Sequence, residues 1–128
     1  MASITTQPAV QNFIGGHFVR NGQKELDVFS PLDGTIISTL PLSTSVEVDQ
    51  AVQAAKAAYA SWSKRTLKER AQVFFNYRTL LEKHVDELTE LVRLENGKTA
   101  GEARAEVLKS MELCEFAVSM PQIISNEI

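Results

Sequence analysis

Residues 67–95, LKERAQVFFNYRTLLEKHVDELTELVRLE, decide the fold, with Thr66 before them and Asn96-Gly97-Lys98 after. Thr66 and Glu69 form a capping-box pattern: the threonine oxygen accepts from the third amide while the glutamate reaches back to the cap amide. Gly97 tolerates the left-handed conformation that ends helices, and Lys98 follows near the negative end of the dipole. Apolar residues recur at helical spacing at Leu67, Ala71, Phe74, Leu81, Val85, Leu88 and Val92. A second stripe runs through Val73, Tyr77, Leu80, Leu88, Leu91 and Leu94. The pattern predicts one helix about 40 Å long at ~1.5 Å per residue. Two adjacent apolar stripes need partners on more than one side. The flanking sequence is short for that task, which suggests part of a larger assembly.

Outward from this stretch, two more helices are expected. Thr44 with Glu47 is a capping box, with Ser45 as the alternative cap. Val48, Val52, Ala55, Tyr59 and Trp62 then repeat at helical spacing. Trp62 is expected to anchor a core at the helix end. Thr99 with Glu102 is the third capping box. It opens a helix from Ala100 to about Met120, whose inner face is Ala103, Val107, Met111, Cys114 and Val118, with Pro121 as the stop. Towards the N-terminus, residues 1–11 are expected to be a disordered tail. Gly15-Gly16 between Phe13-Ile14 and His17-Phe18-Val19 suits a tight hairpin turn, and Asn21-Gly22 is a second signal of that kind. Ser30-Pro31-Leu32-Asp33-Gly34 is a turn leading into a strand over Thr35 to Leu40, ended by Pro41. The expected class is α+β and mostly helical: short N-terminal β-hairpins over 12–42, then three helices over 44–120, the middle one long.

Bulk properties exclude several roles. The 128 residues are 44% apolar and 23% charged with net charge −3, ordinary for one soluble domain. The largest basic cluster, Lys64-Arg65, is no nucleic-acid footprint. No apolar run is long enough to span a membrane. Residues 1–10 lack the pattern of a signal peptide, and a single cysteine fits a reducing compartment, so a cytoplasmic location is expected. One cysteine with His17 and His84 makes no convincing metal site. Cys114, on an inner stripe, reads as a buried apolar residue rather than a nucleophile. His84 reads as a helix-surface or packing residue, and His17 as an exposed hairpin residue. Gly97-Lys98-Thr99 looks like part of a phosphate loop, but a helix rather than a strand precedes it.

Several pieces, in order, resemble the aldehyde dehydrogenase superfamily. Asn12-Phe13-Ile14-Gly15-Gly16-His17-Phe18-Val19 resembles its opening, and Ser30-Pro31-Leu32-Asp33-Gly34-Thr35-Ile36-Ile37 its Asn-Pro-x-x-Gly-x-x-Ile motif. Val48-Asp49, Ala51-Val52, Ala54-Ala55, Trp62, Glu69-Arg70, Leu94-Glu95-Asn96-Gly97-Lys98, Ala103 and Glu106-Val107 follow in the expected order. Phe74-Phe75-Asn76-Tyr77 and Glu115-Phe116-Ala117 look most like the CoA-acylating methylmalonate-semialdehyde dehydrogenases. The match covers nearly all of this chain but only the start of the family's longer one. Residues 12–128 would thus be the N-terminal segment of a cofactor-binding domain within an α/β fold.

The resemblance implies oxidation of an aldehyde by NAD(P) through a cysteine thioester, released by water or by CoA. The family's catalytic cysteine, base, oxyanion asparagine and nucleotide loops all lie beyond the region covered here. No catalytic or cofactor-binding residue is therefore assigned, and no cofactor is expected on this segment alone. Two further positions follow from the resemblance. Glu95 with the carbonyls of Val28 and Phe29 would hold a monovalent cation; the alternative is that Glu95 meets turn amides or solvent. Lys109 stands where the semialdehyde branch often has an arginine for the substrate carboxylate. Lysine keeps the charge but loses the two-pronged fork; the alternative is a solvated lysine. The expected partners are the remainder of the dehydrogenase chain and a second copy through exposed helix faces, with neither nucleic acid nor membrane. A reading from another class is a free-standing helical interaction module.

Overall fold

The computed structural model describes residues 7–21 and 24–124. The chain divides into two compact units, residues 1–64 and 65–128, each considered by itself.

The first unit holds β1 (Asn12–Ile14), β2 (His17–Val19), β3 (Glu25–Phe29), β4 (Ile36–Pro41) and α1 (Ser45–Trp62). β1 and β2 pair antiparallel with Ile14 opposite His17, so Gly15-Gly16 is a two-residue loop. Their φ values of 60° and 87° are the left-handed pair that such a turn requires. Phe13 and Phe18 meet edge to face across the hairpin, with ring centroids 5.0 Å apart. β3 and β4 form the second hairpin, closed where Gly34 N–H donates to the Ser30 carbonyl at 2.9 Å. Its register slips between Val28, opposite Ser38, and Phe29, opposite Ile36. The extra residue, Ile37, breaks the alternation, so consecutive Ile37 and Ser38 are both buried. The buried Ser38 hydroxyl donates to the Pro8 carbonyl at 2.7 Å. The expected tail to residue 11 is corrected here. Gln7 and Val10 N–H donate to the carbonyls of Ile37 and Thr39, because an edge strand has unpaired carbonyls to offer. Residues 1–6, and Gly22 of the second expected turn, lie outside the described residues.

α1 begins as expected at Thr44, whose amide donates to Glu47 Oε2 at 2.6 Å. It lies against β1, with Ala54 Cβ 4.0 Å from where a side chain on Gly15 would begin. The expected core role of Trp62 is corrected. Val48, Val52, Tyr59 and Trp62 are exposed, Trp62 by 44%, so it anchors no core in this chain. Ala54 approaches Gly15 of the hairpin, Val48 lines the hollow beside Phe13 and Ile14, and Val52, Tyr59 and Trp62 are left uncovered.

The second unit is helical: α2 (Leu67–Lys83), α3 (Val85–Asn96) and α4 (Ala100–Ile124). Four helices therefore stand where three were expected, because the long stretch breaks at His84. Its backbone, φ −111° and ψ 18°, leaves the helical region, and its ring Nδ1 lies 2.8 Å from Glu87 Oε2. Neither proline nor glycine marks the break. Both pieces pack on α4: Leu81 and Val85 bury with Val107, Met111 and Cys114, and Leu88 and Val92 close the cluster. Caps at Thr66 with Glu69 and Thr99 with Glu102 are present, and Gly97 ends α3 at φ 68°. Pro121 does not stop α4 but lies inside its last turns. A proline that late removes one bond near a helix end rather than in mid-helix.

Candidate functional site

The sequence-derived site residues fall on separate elements. Val28 and Phe29 sit on β3 at the register slip, in the first unit; Glu95 is exposed at the end of α3, in the second. Among the described residues no three His, Cys, Asp or Glu side chains gather as a metal site. Lys109 is exposed on α4 and pairs with Glu112, one turn along the same helix. Cys114 is buried in the α2–α4 core, as its place on the inner stripe implied. His17 is exposed on β2, and His84 caps the helix break.

Each unit has a hollow lined by described residues. The first, about 190 Å³, lies between the first hairpin and the start of α1 and includes Asn12, Ser43 and Glu47. Each of those polar groups is engaged: Asn12 Nδ2 donates to Ser43 Oγ at 2.8 Å, and Glu47 holds the Thr44 amide and hydroxyl. These bonds, the Thr44 hydroxyl foremost, keep Glu47 below the ordinary glutamate pKa. The second hollow, about 310 Å³, is lined by Phe75, Arg78, Thr79, Glu115 and Val118. Arg78 is held by Glu115 at 2.6 Å and Glu82 at 2.8 Å, which raises its pKa, the Glu115 bond contributing most. The Thr79 hydroxyl donates to the Phe75 carbonyl. Each lining acid, base or hydroxyl named here is thus held by a neighbour, and no nucleophile is paired with a base.

Apolar side chains are also exposed on both α2 and α4. On α2, Val73, Tyr77 and Leu80 are 52%, 52% and 55% exposed; on α4, Leu113 and Phe116 are 62% and 61% exposed. Exposed apolar patches mark protein or membrane interaction sites, ligand grooves or aggregation-prone surfaces. The second stripe in the sequence pointed to the α2 part. The α4 part went unread, because the core stripe dominates that helix.

This segment belongs to the aldehyde dehydrogenase family, whose model matches residues 18–128. Within that family it is similar to malonate-semialdehyde dehydrogenase 2 of Bacillus thuringiensis subsp. konkukian (strain 97-27). Identity is 41% over 126 residues, covering 98% of this chain and 26% of the relative. The fold matches the crystal structure of methylmalonate-semialdehyde dehydrogenase from Oceanimonas doudoroffii. The TM-score is 0.86 at 33% identity, over 91% of this chain and 24% of that one. It also matches a NAD-dependent benzaldehyde dehydrogenase from Corynebacterium glutamicum, with TM-score 0.82 and 28% identity over 88% and 25% of the two chains. The chain thus spans about a quarter of the length of these relatives, and the similarity covers their N-terminal segment.

Proposed function

We propose that this chain is the N-terminal scaffold segment of an NAD(P)-dependent semialdehyde dehydrogenase of the malonate or methylmalonate type, in which CoA can take part. The fold match to the Oceanimonas enzyme over 91% of this chain and only 24% of that one carries the reading. In it, the segment packs against the rest of the dehydrogenase, and the reacting cysteine and the nucleotide site lie on that remainder. Engaged polar groups in both hollows support a structural role for the segment. A cytoplasmic location belongs to this reading. It is supported by the single cysteine and by the lack, among the described residues, of a helix long and apolar enough to cross a membrane. The cation role of Glu95, Val28 and Phe29, and the carboxylate role of Lys109, rest on the family resemblance alone.

The test joins this chain to the C-terminal part of the Bacillus thuringiensis relative that lies beyond the matched residues. The joined protein is expected to reduce NAD in the presence of a semialdehyde, while the 128-residue chain alone gives no saturable NAD titration. Saturable NAD binding by the chain alone would overturn the scaffold assignment. A second reading, a helical module that associates with other chains in its own right, is favoured by the exposed rows on α1, α2 and α4. A joined protein that folds but never turns over would favour it.

A further inference from the structure

Arg70 lies in the first turns of α2 and is half-buried. Its Nε is shielded from solvent and has no hydrogen-bond partner among the described residues. A guanidinium N–H removed from water without an acceptor is destabilising, so the fold is expected to supply one. Arg70 is also the first member of a row. Val73, Tyr77 and Leu80 follow it at intervals of three, four and three, which puts all four along one side of α2. Beyond Arg70 this row is the exposed apolar stripe of the helix. An arginine and a tyrosine in one otherwise apolar row is the composition typical of interface anchors.

We propose that this row seats the dehydrogenase polypeptide lying beyond the matched segment, and that a carboxylate or carbonyl oxygen of that polypeptide accepts from Arg70 Nε. The inference rests on the scaffold reading above. Two observations select this occupant. The chain covers 26% of a relative with which it shares 41% identity, so about three quarters of such a polypeptide is available to cover the row. A second copy offers a poorer acceptor. The row itself holds no acid, and neighbouring Glu69 is already bound by Thr66 and by Arg65. Nearby Asn76 Oδ1 already accepts from Gln72 Nε2.

The experiment compares Arg70→Lys in two settings: the 128-residue chain alone, and the same chain joined to the C-terminal part of the Bacillus thuringiensis relative. Lysine keeps the charge and removes Nε. The joined protein is expected to lose roughly 2–4 °C of Tm, with Tyr77→Glu losing at least as much, while Arg70→Lys leaves the chain alone unchanged or slightly more stable. Equal shifts in both settings would place the role of Arg70 inside the helix pack and overturn the inference. So would a folded, active joined protein indifferent to Arg70→Lys, and that outcome leaves the scaffold reading standing. A joined protein that neither folds nor oxidises a semialdehyde removes the scaffold reading, and the inference with it. A tight dimer of the chain alone whose Tm falls on Arg70→Lys would hand the row to a second copy and also overturn it.

Discussion

Arg78 on α2 donates through Nε to Glu115 Oε1 on α4 at 2.6 Å, across 37 positions of sequence. The same guanidinium reaches Glu82 one turn along its own helix. One side chain therefore links α2 to α4 at the rim of the core. Exposed ion pairs contribute little and are screened by salt. Glu115→Gln is expected to lower the urea midpoint slightly at low ionic strength and not at about 1 M salt, where the Debye length is about 3 Å. A loss that persists undiminished at high salt would assign the contact to packing rather than charge.

The core beneath that pair is a stronger determinant. Met111 is buried among Leu81, Val85, Val107 and Cys114. Met111→Ala should cost about 2–5 kcal/mol, the range for truncating a buried side chain. Lys109→Ala, on the exposed side of the same helix, should be close to neutral. Chemical denaturation of the two variants side by side checks this.

Two local devices make separable contributions. Gly97 at φ 68° ends α3, and an L side chain there is strained by about 1–2 kcal/mol. Thr66 accepts from the Glu69 amide at 3.2 Å, and Thr66→Ala should cost about 1 kcal/mol. The two substitutions lie far apart in sequence and should add. A double variant falling well short of the sum would show that they share a partner.

Acid should loosen the helix starts. Glu47, Glu69 and Glu102 each have a pKa held below the ordinary 4.5. The leading causes are the Thr44 hydroxyl for Glu47, the Thr66 amide for Glu69 and the Thr99 hydroxyl for Glu102. A depressed folded pKa gives stability that is present above the unfolded value and lost as pH falls through the folded one. Circular dichroism melts should therefore show Tm falling below pH 4.5, and replacing all three by Gln should flatten that fall. An unchanged acid slope in the triple variant would assign it to other carboxylates.

Produced without the remainder of a dehydrogenase, the chain should self-associate through its exposed helix rows. Sedimentation at rising concentration is expected to show species larger than a monomer, reduced by Leu113→Glu and Phe116→Glu. A compact monomer at high concentration would count against that reading of the surface.

Local punctuation was legible residue by residue. The three Thr-x-x-Glu boxes, Gly15-Gly16 and Gly97 each specify a backbone conformation through their own atoms and close neighbours, and each stands where its pattern implied. The core stripe of the last helix was legible too, because burial on one side leaves a helical period. The candidate site was legible only as residues on a resemblance, since the groups it would join are distant in sequence.

By itself the sequence determined where the three capped helices begin, where Gly15-Gly16 and Gly97 turn the chain, which stripe of α4 is apolar, and the family, because these depend on short-range chemistry and on order along the chain. Tertiary structure alone decided that the long helix breaks at His84, that Trp62 is exposed, and that Arg70 Nε is left without an acceptor among the described residues. A periodic pattern says that a face is apolar. Only the packing of one element on another says whether anything covers it.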